Sequence, residues 1–500
     1  MKFADNANVG FVRPEVSKML PLYNLIRDVI AGEVTVKAAG ELYLPKPNKA
    51  DTSAENKARY AAYVERAVFY NVARRTIYGY LGQVFATSPD VKVPLALQPV
   101  VDNASGGGVS LEQLAKKATL YNLAYSRGGV FVDYPETEGE STVEELNSGS
   151  VRPTITVYPP TSLINWRVTD IGAEEVLTLV VIFETFVNAD DGFELKNCPQ
   201  FRVLYLDEEG EYCQATWREP IPNEYKGNGK IQKGNYRSIK VVKPTDAAGK
   251  PFDRIPFTFF GADNNDAHPD NPSYYDMCSL NIAHYRNSAD YEEACFIVGQ
   301  PTIVASGLTK DWVEEVLKGE LRIGSRGVIP LPVGGDAKLI QAEGNTMIKE
   351  AMDTKEKQMI ALGAKLAEKR DVQRTATESK IEQGEDNSIL ASSTNNVSAA
   401  LTFALQCCAK FVGVPSEGIS YKLSTDFAVA KLSPEELRAL LELWAKSAIS
   451  FTEMRTGLRL GGVEMLDDIK AKAEIDEEKK QSAELAKQQN PAGTWKPPAA

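Results

Sequence analysis

Two long runs of helix-spaced apolar residues, separated by only about 45 residues, constrain this chain more than any other feature. In the first, 272–298, Tyr275, Cys278, Ile282, Tyr285, Ala289 and Phe296 share one stripe. Asp276, Arg286, Asp290 and Glu293 lie elsewhere on the wheel. In the second, 345–370, the stripe is Ile348, Met352, Met359, Leu362 and Leu366. At the helical rise each run is about 40 Å long. Gly299-Gln300-Pro301 ends the first. The insert, 301–343, predicts strands at Thr302–Ala305 and Val328–Leu331 and one short helix, Lys310–Lys318. A polar stretch, Asp371–Glu378, then leads to a third long helix carrying Leu390, Val397, Leu401, Leu405, Cys408 and Val412. Gly413-Val414-Pro415 closes it.

Upstream the pattern is mixed. Met19–Asp28 is amphipathic and Gly32 ends it, after which Leu42–Pro45 reads as extended. Ala54–Val84 reads as one helical stretch, with Tyr60, Val64, Ala67, Val68, Asn71, Arg75 and Tyr78 near one face. A glycine-rich turn, Asp102–Gly108, precedes a helix over Leu111–Ser126, which Arg127-Gly128-Gly129 stops before a buried strand, Val130–Pro135. Beyond a polar loop, 136–150, strands are expected at Thr154–Tyr158, Leu177–Val187, Phe201–Leu206, Glu211–Trp217, Arg237–Val242 and Pro256–Phe260. The fold class is therefore α+β.

Ile419–Asp426 is a further strand, and the chain then turns helical. Ser433-Pro434-Glu435-Glu436 places serine at the N-cap, proline at N1 and glutamate at N3. Ser450-Phe451-Thr452-Glu453 repeats the capping box, with Ile449 and Met454 set for a hydrophobic staple. The stretch 464–489 is charged and helical in composition, and 490–500 has the make-up of a disordered tail.

Signs of catalysis are sparse. There is no GxxxxGK[ST] loop, no GxSxG elbow and no HExxH. Six cysteines (Cys198, Cys213, Cys278, Cys295, Cys407 and Cys408) include no CxxC pair. With only two histidines, His268 and His284, a zinc site of ordinary spacing is disfavoured, and buried free thiols are expected. Adjacent acids such as Glu314-Glu315 and Asp467-Asp468 point apart on a helix and read as solvated. No apolar run is long enough for a membrane helix, and Met1–Asn6 lacks a signal core. The net charge of −12 suits a surface past which DNA slides without sticking, and equally suits plain solubility.

The order of these elements resembles the subunit plan of tailed-bacteriophage portal proteins, in which two stem helices flank a small clip and a tunnel loop precedes a long helix. Local segments resemble one portal-like phage family in the same order. They are Arg27-Asp28 with Gly32, Tyr43-Leu44-Pro45-Lys46-Pro47, Arg66-Ala67 with Tyr70-Asn71 and Arg75-Thr76, and Val132-Asp133-Tyr134-Pro135. Tyr158–Trp166, Leu280–Arg286 and Thr375–Glu378 complete the set.

The resemblance implies a portal-protein fold: an α/β wing over 1–271, a first stem helix at 272–298 and a clip at 299–344. It further implies a second stem helix at 345–370, a tunnel loop at 371–380, a long wing helix and strand at 381–430 and a helical crown at 431–489. It implies a non-enzymatic, cofactor-free and metal-free subunit of a closed homo-oligomeric ring, usually of about twelve copies. The ring sits at one vertex of the virion and is assembled in the host cytoplasm. Its implied partners are double-stranded DNA passing without sequence readout, the terminase large subunit, the major capsid or scaffolding protein and a neck or tail adaptor; no membrane is involved. Lys365, Lys369, Arg370, Gln373, Arg374, Thr375, Thr377 and Lys380 would then border the channel, and basic groups there would meet the DNA backbone. Lys369 and Arg370 equally suit a solvated helix end. Trp312, Glu314, Glu315, Lys318 and Arg322 would face the terminase. Two other readings stay open: a different connector or adaptor ring, and a metal-dependent hydrolase with scattered carboxylates.

Overall fold

A computed structural model describes residues 3, 8–134, 152–190, 192–219, 236–299, 302–316, 330–340, 346–363, 376–425, 427, 434–446 and 448–460, with isolated positions beyond. The chain divides into two compact units, Met1–Thr425 and Asp426–Ala500.

Helix α1 (Pro14–Ala31) begins with proline at its first position, where a missing N–H costs nothing. It ends at Gly32, whose φ of 109° suits glycine. A short helix α2 (Glu33–Ala38) and a 3-10 turn, Gly40–Leu42, follow, so Leu42, the first residue of the stretch expected to be extended, closes a turn instead. The stretch Ala54–Val84 is two helices, not one. Helix α3 (Ala54–Arg66) is capped by Ser53, and α4 (Val72–Val84) by Asn71. The break arises where the Asn71 side chain makes one local and one distant bond instead of continuing the helix. Its Oδ1 accepts from the Arg74 N–H at 2.9 Å, and its Nδ2 donates to the Val29 carbonyl at 2.7 Å.

After strand β1 (Asp90–Lys92) come α5 (Gln98–Asp102) and α6 (Leu111–Tyr125), the latter opened by a Ser110/Gln113 capping box. Strand β2 (Arg127–Asp133) starts three residues earlier than the pattern suggests, because Gly128 and Gly129 are strand residues. A Cβ at either would collide with the ring of Phe260 or Phe257 across the sheet. β2 lies between β3 (Thr154–Tyr158) and β9 (Phe257–Gly261), antiparallel to both.

A second antiparallel sheet is a meander of β4 (Leu163–Ile171), β5 (Glu174–Asp190), β6 (Leu195–Leu206), β7 (Tyr212–Arg218) and β8 (Arg237–Val242). β4 escapes the sequence pattern. One face of the sheet buries Leu179, Val181, Val203, Ala215 and Trp217 beneath Phe3, Val9 and Val12. On the other, Arg202 reaches Asp133 of β2 at 2.8 Å and Glu184 of β5 at 3.0 Å, and the Tyr158 hydroxyl of β3 donates to Glu184. This charged cluster joins the two sheets.

The rest of the unit holds α7 (Tyr275–Val298), β10 (Thr302–Ser306), β11 (Asp336–Ile340), α8 (Thr346–Ala361), α9 (Ala376–Val412) and β12 (Ser420–Lys422). β10 pairs with β11, and of the strand expected at Val328–Leu331 the described residues Pro330 and Leu331 are not in a strand. β12 closes back on β1. A helical core gathers Tyr23, Ile26 and Val29 of α1, Tyr63 of α3, Ile77 of α4, Tyr125 of α6 and Cys278, Ile282, Tyr285 and Ala289 of α7.

In the second unit, α10 (Pro434–Ala445) precedes α11 (Phe451–Leu460). The Glu453 N–H donates to Ser450 Oγ at 3.1 Å and the Ser450 N–H to Glu453 Oε2 at 2.7 Å, the reciprocal box that the sequence predicts. The stretch 464–489, apart from isolated positions, and the tail 490–500 lie outside the described residues.

Candidate functional site

The candidate site is the α7–insert–α8 excursion. α7 is rooted as far as Glu293 by polar bonds as well as by its apolar stripe. Asn281 accepts from the Ala73 N–H at 3.0 Å and donates to the Tyr70 carbonyl at 2.9 Å. Arg286 Nε donates to the Tyr43 carbonyl at 2.7 Å, and the Tyr63 hydroxyl to Asp290 at 2.6 Å. Arg66 pairs with Glu293. Beyond Glu293 the helix leaves this core, and Cys295, Phe296 and Ile297 are exposed.

α8 returns alongside. The Tyr80 hydroxyl donates to the Gly363 carbonyl at 2.7 Å near the root, His284 lies 3.7 Å from Glu356 midway, and Thr302 pairs with Ile340 at the far end. These pairings fix an antiparallel run. α7 has 24 residues and α8 has 16, so they span about 36 and about 24 Å. α8 therefore stops short of the expected Arg370. Gly363 takes a φ of 107°, and a Cβ there would press on the Tyr80 hydroxyl, so the turn Leu362-Gly363 ends the helix.

At the tip, β10 and β11 form a five-pair ladder. A π-helical turn, Trp312–Val316, sits between them in sequence, and Trp312 Nε1 donates to the Pro330 carbonyl at 3.2 Å. Glu314 and Glu315 on that turn are exposed, with Lys310 3.9 Å from Glu314. Lys318 and Arg322 lie outside the described residues, as do Lys365, Lys369, Arg370, Gln373, Arg374 and Thr375. Thr377 and Lys380 fall within α9, so the expected loop over 371–380 is helical from Ala376 onward. A polar run has the same composition in a loop as in a helix, which is why composition misplaced the boundary.

One acidic cluster went unnoticed in the sequence, although Asp207-Glu208-Glu209-Gly210-Glu211 carries the signal. At the β6–β7 turn, Lys243 Nζ lies 2.7 Å from Asp207, 3.8 Å from Glu209 and 2.5 Å from Glu211. The ammonium holds the Asp207 carboxyl below its usual range. A cation of the chain itself thus occupies this carboxylate group. Among the thiols, Cys213, Cys278, Cys407 and Cys408 are buried and Cys295 is exposed; burial pushes Cys407 up to about 12. No helix among the described residues is long and apolar enough to cross a membrane.

A family described as a domain of unknown function, DUF4055, matches residues 274–412, the span holding α7, the insert, α8 and α9. No curated protein matches the chain.

Proposed function

We propose that this chain is the subunit of a tailed-phage portal ring, a non-enzymatic channel through which DNA enters and leaves the viral head. The observation that carries the reading is the antiparallel α7–α8 pair, rooted in the helical core and closed at its far end by the small β10–β11 insert. In this reading α7 and α8 are the stem and the insert is the clip. α9 descends from the tunnel loop, and the two sheets belong to the wing.

The exposed surface of the end of α7 and of the insert fits that assignment. Phe296, Ile297, Val304, Val313 and Val316 cluster there in sequence and are all substantially exposed. Such groups are costly in water, and neighbouring subunits would cover them in a closed ring whose two faces differ. The terminase motor would dock at the clip, near Trp312, Glu314 and Glu315, and supply the ATP chemistry. The net charge of −12 would keep duplex phosphates from adhering to the channel wall. Capsid or scaffolding protein and a neck or tail adaptor are the further partners of this assignment.

Negative-stain electron microscopy of the purified chain, with mass determination, tests the proposal. Closed rings with a hole wide enough for duplex DNA are expected. A compact monomer or dimer across a range of salt concentrations would refute it.

A further inference from the structure

The seam between α7 and α8 holds a buried imidazole to which the portal reading gives no task. His284 is 2% exposed, and neither Nδ1 nor Nε2 has a hydrogen-bond partner. Its Nε2 lies 3.7 Å from Glu356 Oε1, beyond hydrogen-bonding reach. Among the described residues, the charged groups facing it come from α8: Glu356, Asp353 and Lys355. The segment between α3 and α4 contributes the Tyr70 ring, 6.1 Å away. Polar neighbours one turn away on α7 are committed elsewhere, Asn281 to the backbone of Ala73 and Tyr70, and Ser288 Oγ to the Val68 N–H at 3.2 Å. Glu356 is 46% exposed, so water shares its carboxylate and little of that charge is focused on the ring.

We propose that His284 makes the α7–α8 seam an acid-released joint: the ring packs only while neutral, and its protonation parts α8 from α7. Two unsatisfied ring nitrogens already weaken the closed seam, and an imidazolium there would be a buried charge without a bonded partner. Burial, reinforced by Lys355 and opposed by Asp353, holds the closed ring's pKa below its ordinary 6.5.

The sign follows from linkage. The open form takes up its proton near 6.5, so opening is independent of pH above that value. Below it, one proton is bound per opening, and the opening constant rises by up to about tenfold per pH unit until the closed ring itself titrates.

Hydrogen exchange read by mass spectrometry on the full chain tests this, with peptides from 346–361 compared with peptides from β6 and β7. Rates are taken between about pH 7.5 and about pH 5 and corrected for intrinsic exchange. The expected result is a rise of up to about fivefold in opening of 346–361 from about pH 6.5 to about pH 5.5, absent from the sheet peptides. His284→Phe and the polar, non-titrating His284→Gln should both abolish the rise. Should the Phe variant fail to fold, the Gln variant decides alone. A flat wild-type profile, or the same acid dependence in a folded variant, would overturn the proposal.

Discussion

Replacing Arg202 with methionine tests the joint between the two sheets most directly. The guanidinium sits between Asp133 at 2.8 Å and Glu184 at 3.0 Å, and Glu184 also accepts from Tyr158. Removing one partner of a fully buried pair costs about 3–5 kcal/mol, because the other charge is left uncompensated. Here the Asp133 and Glu184 side chains keep 31% and 16% of their exposure, so water recovers part of that loss. The cost at neutral pH is accordingly set at about 2–4 kcal/mol. Burial already holds the Asp133 carboxyl above its usual range even with Arg202 beside it, and without the guanidinium it rises further. A carboxyl whose folded pKa exceeds its unfolded value costs stability above that pKa and restores it as pH falls. The deficit should therefore shrink between about pH 7 and about pH 5. Urea unfolding of both proteins at the two pH values measures this. A deficit below about 0.5 kcal/mol, or one that does not change with pH, would refute the reasoning.

Three other substitutions probe different parts of the fold. Ile282→Ala removes a fully packed side chain from the root of α7 and should cost about 2–4 kcal/mol in a denaturant titration, with no change expected in the secondary structure of the sheets. Gly363→Ala forces an alanine to a φ of 107° against Tyr80, and should lower stability by about 1–2 kcal/mol and raise exchange at the end of α8. If the portal assignment holds, exchanging Lys369, Arg370 and Arg374 for glutamine should leave ring formation intact while reducing DNA packaging or retention. Loss of the rings themselves would remove those residues from the channel loop.

Much of the secondary structure was legible because its signals are local. The Ser450/Glu453 box, the stripe of α7, the period of β3 and the stop at Gly413 each depend on residues within a few positions of one another. The errors share a cause as well. The break at 67–71 depends on Asn71 bonding to Val29 in another helix, and the end of α8 on a glycine pressed against Tyr80. β11 went unmarked because what makes it a strand is its pairing with β10 across the insert. β4 stayed hidden because it is an edge strand, and its pairing along β5 supplies what its own pattern does not mark.

The sequence by itself determined an α+β chain with long amphipathic helices around a small insert, since apolar spacing and capping chemistry act over single turns. Only the tertiary structure decided which helices run together and which charges meet. It set Arg202 between Asp133 and Glu184, and left His284 in a seam with no hydrogen-bond partner. Those outcomes depend on residues 69 and 18 positions apart for the Arg202 contacts, brought together by sheet packing. The chain's local preferences carry no record of that proximity, because burial and Coulomb energies arise only after distant segments have packed.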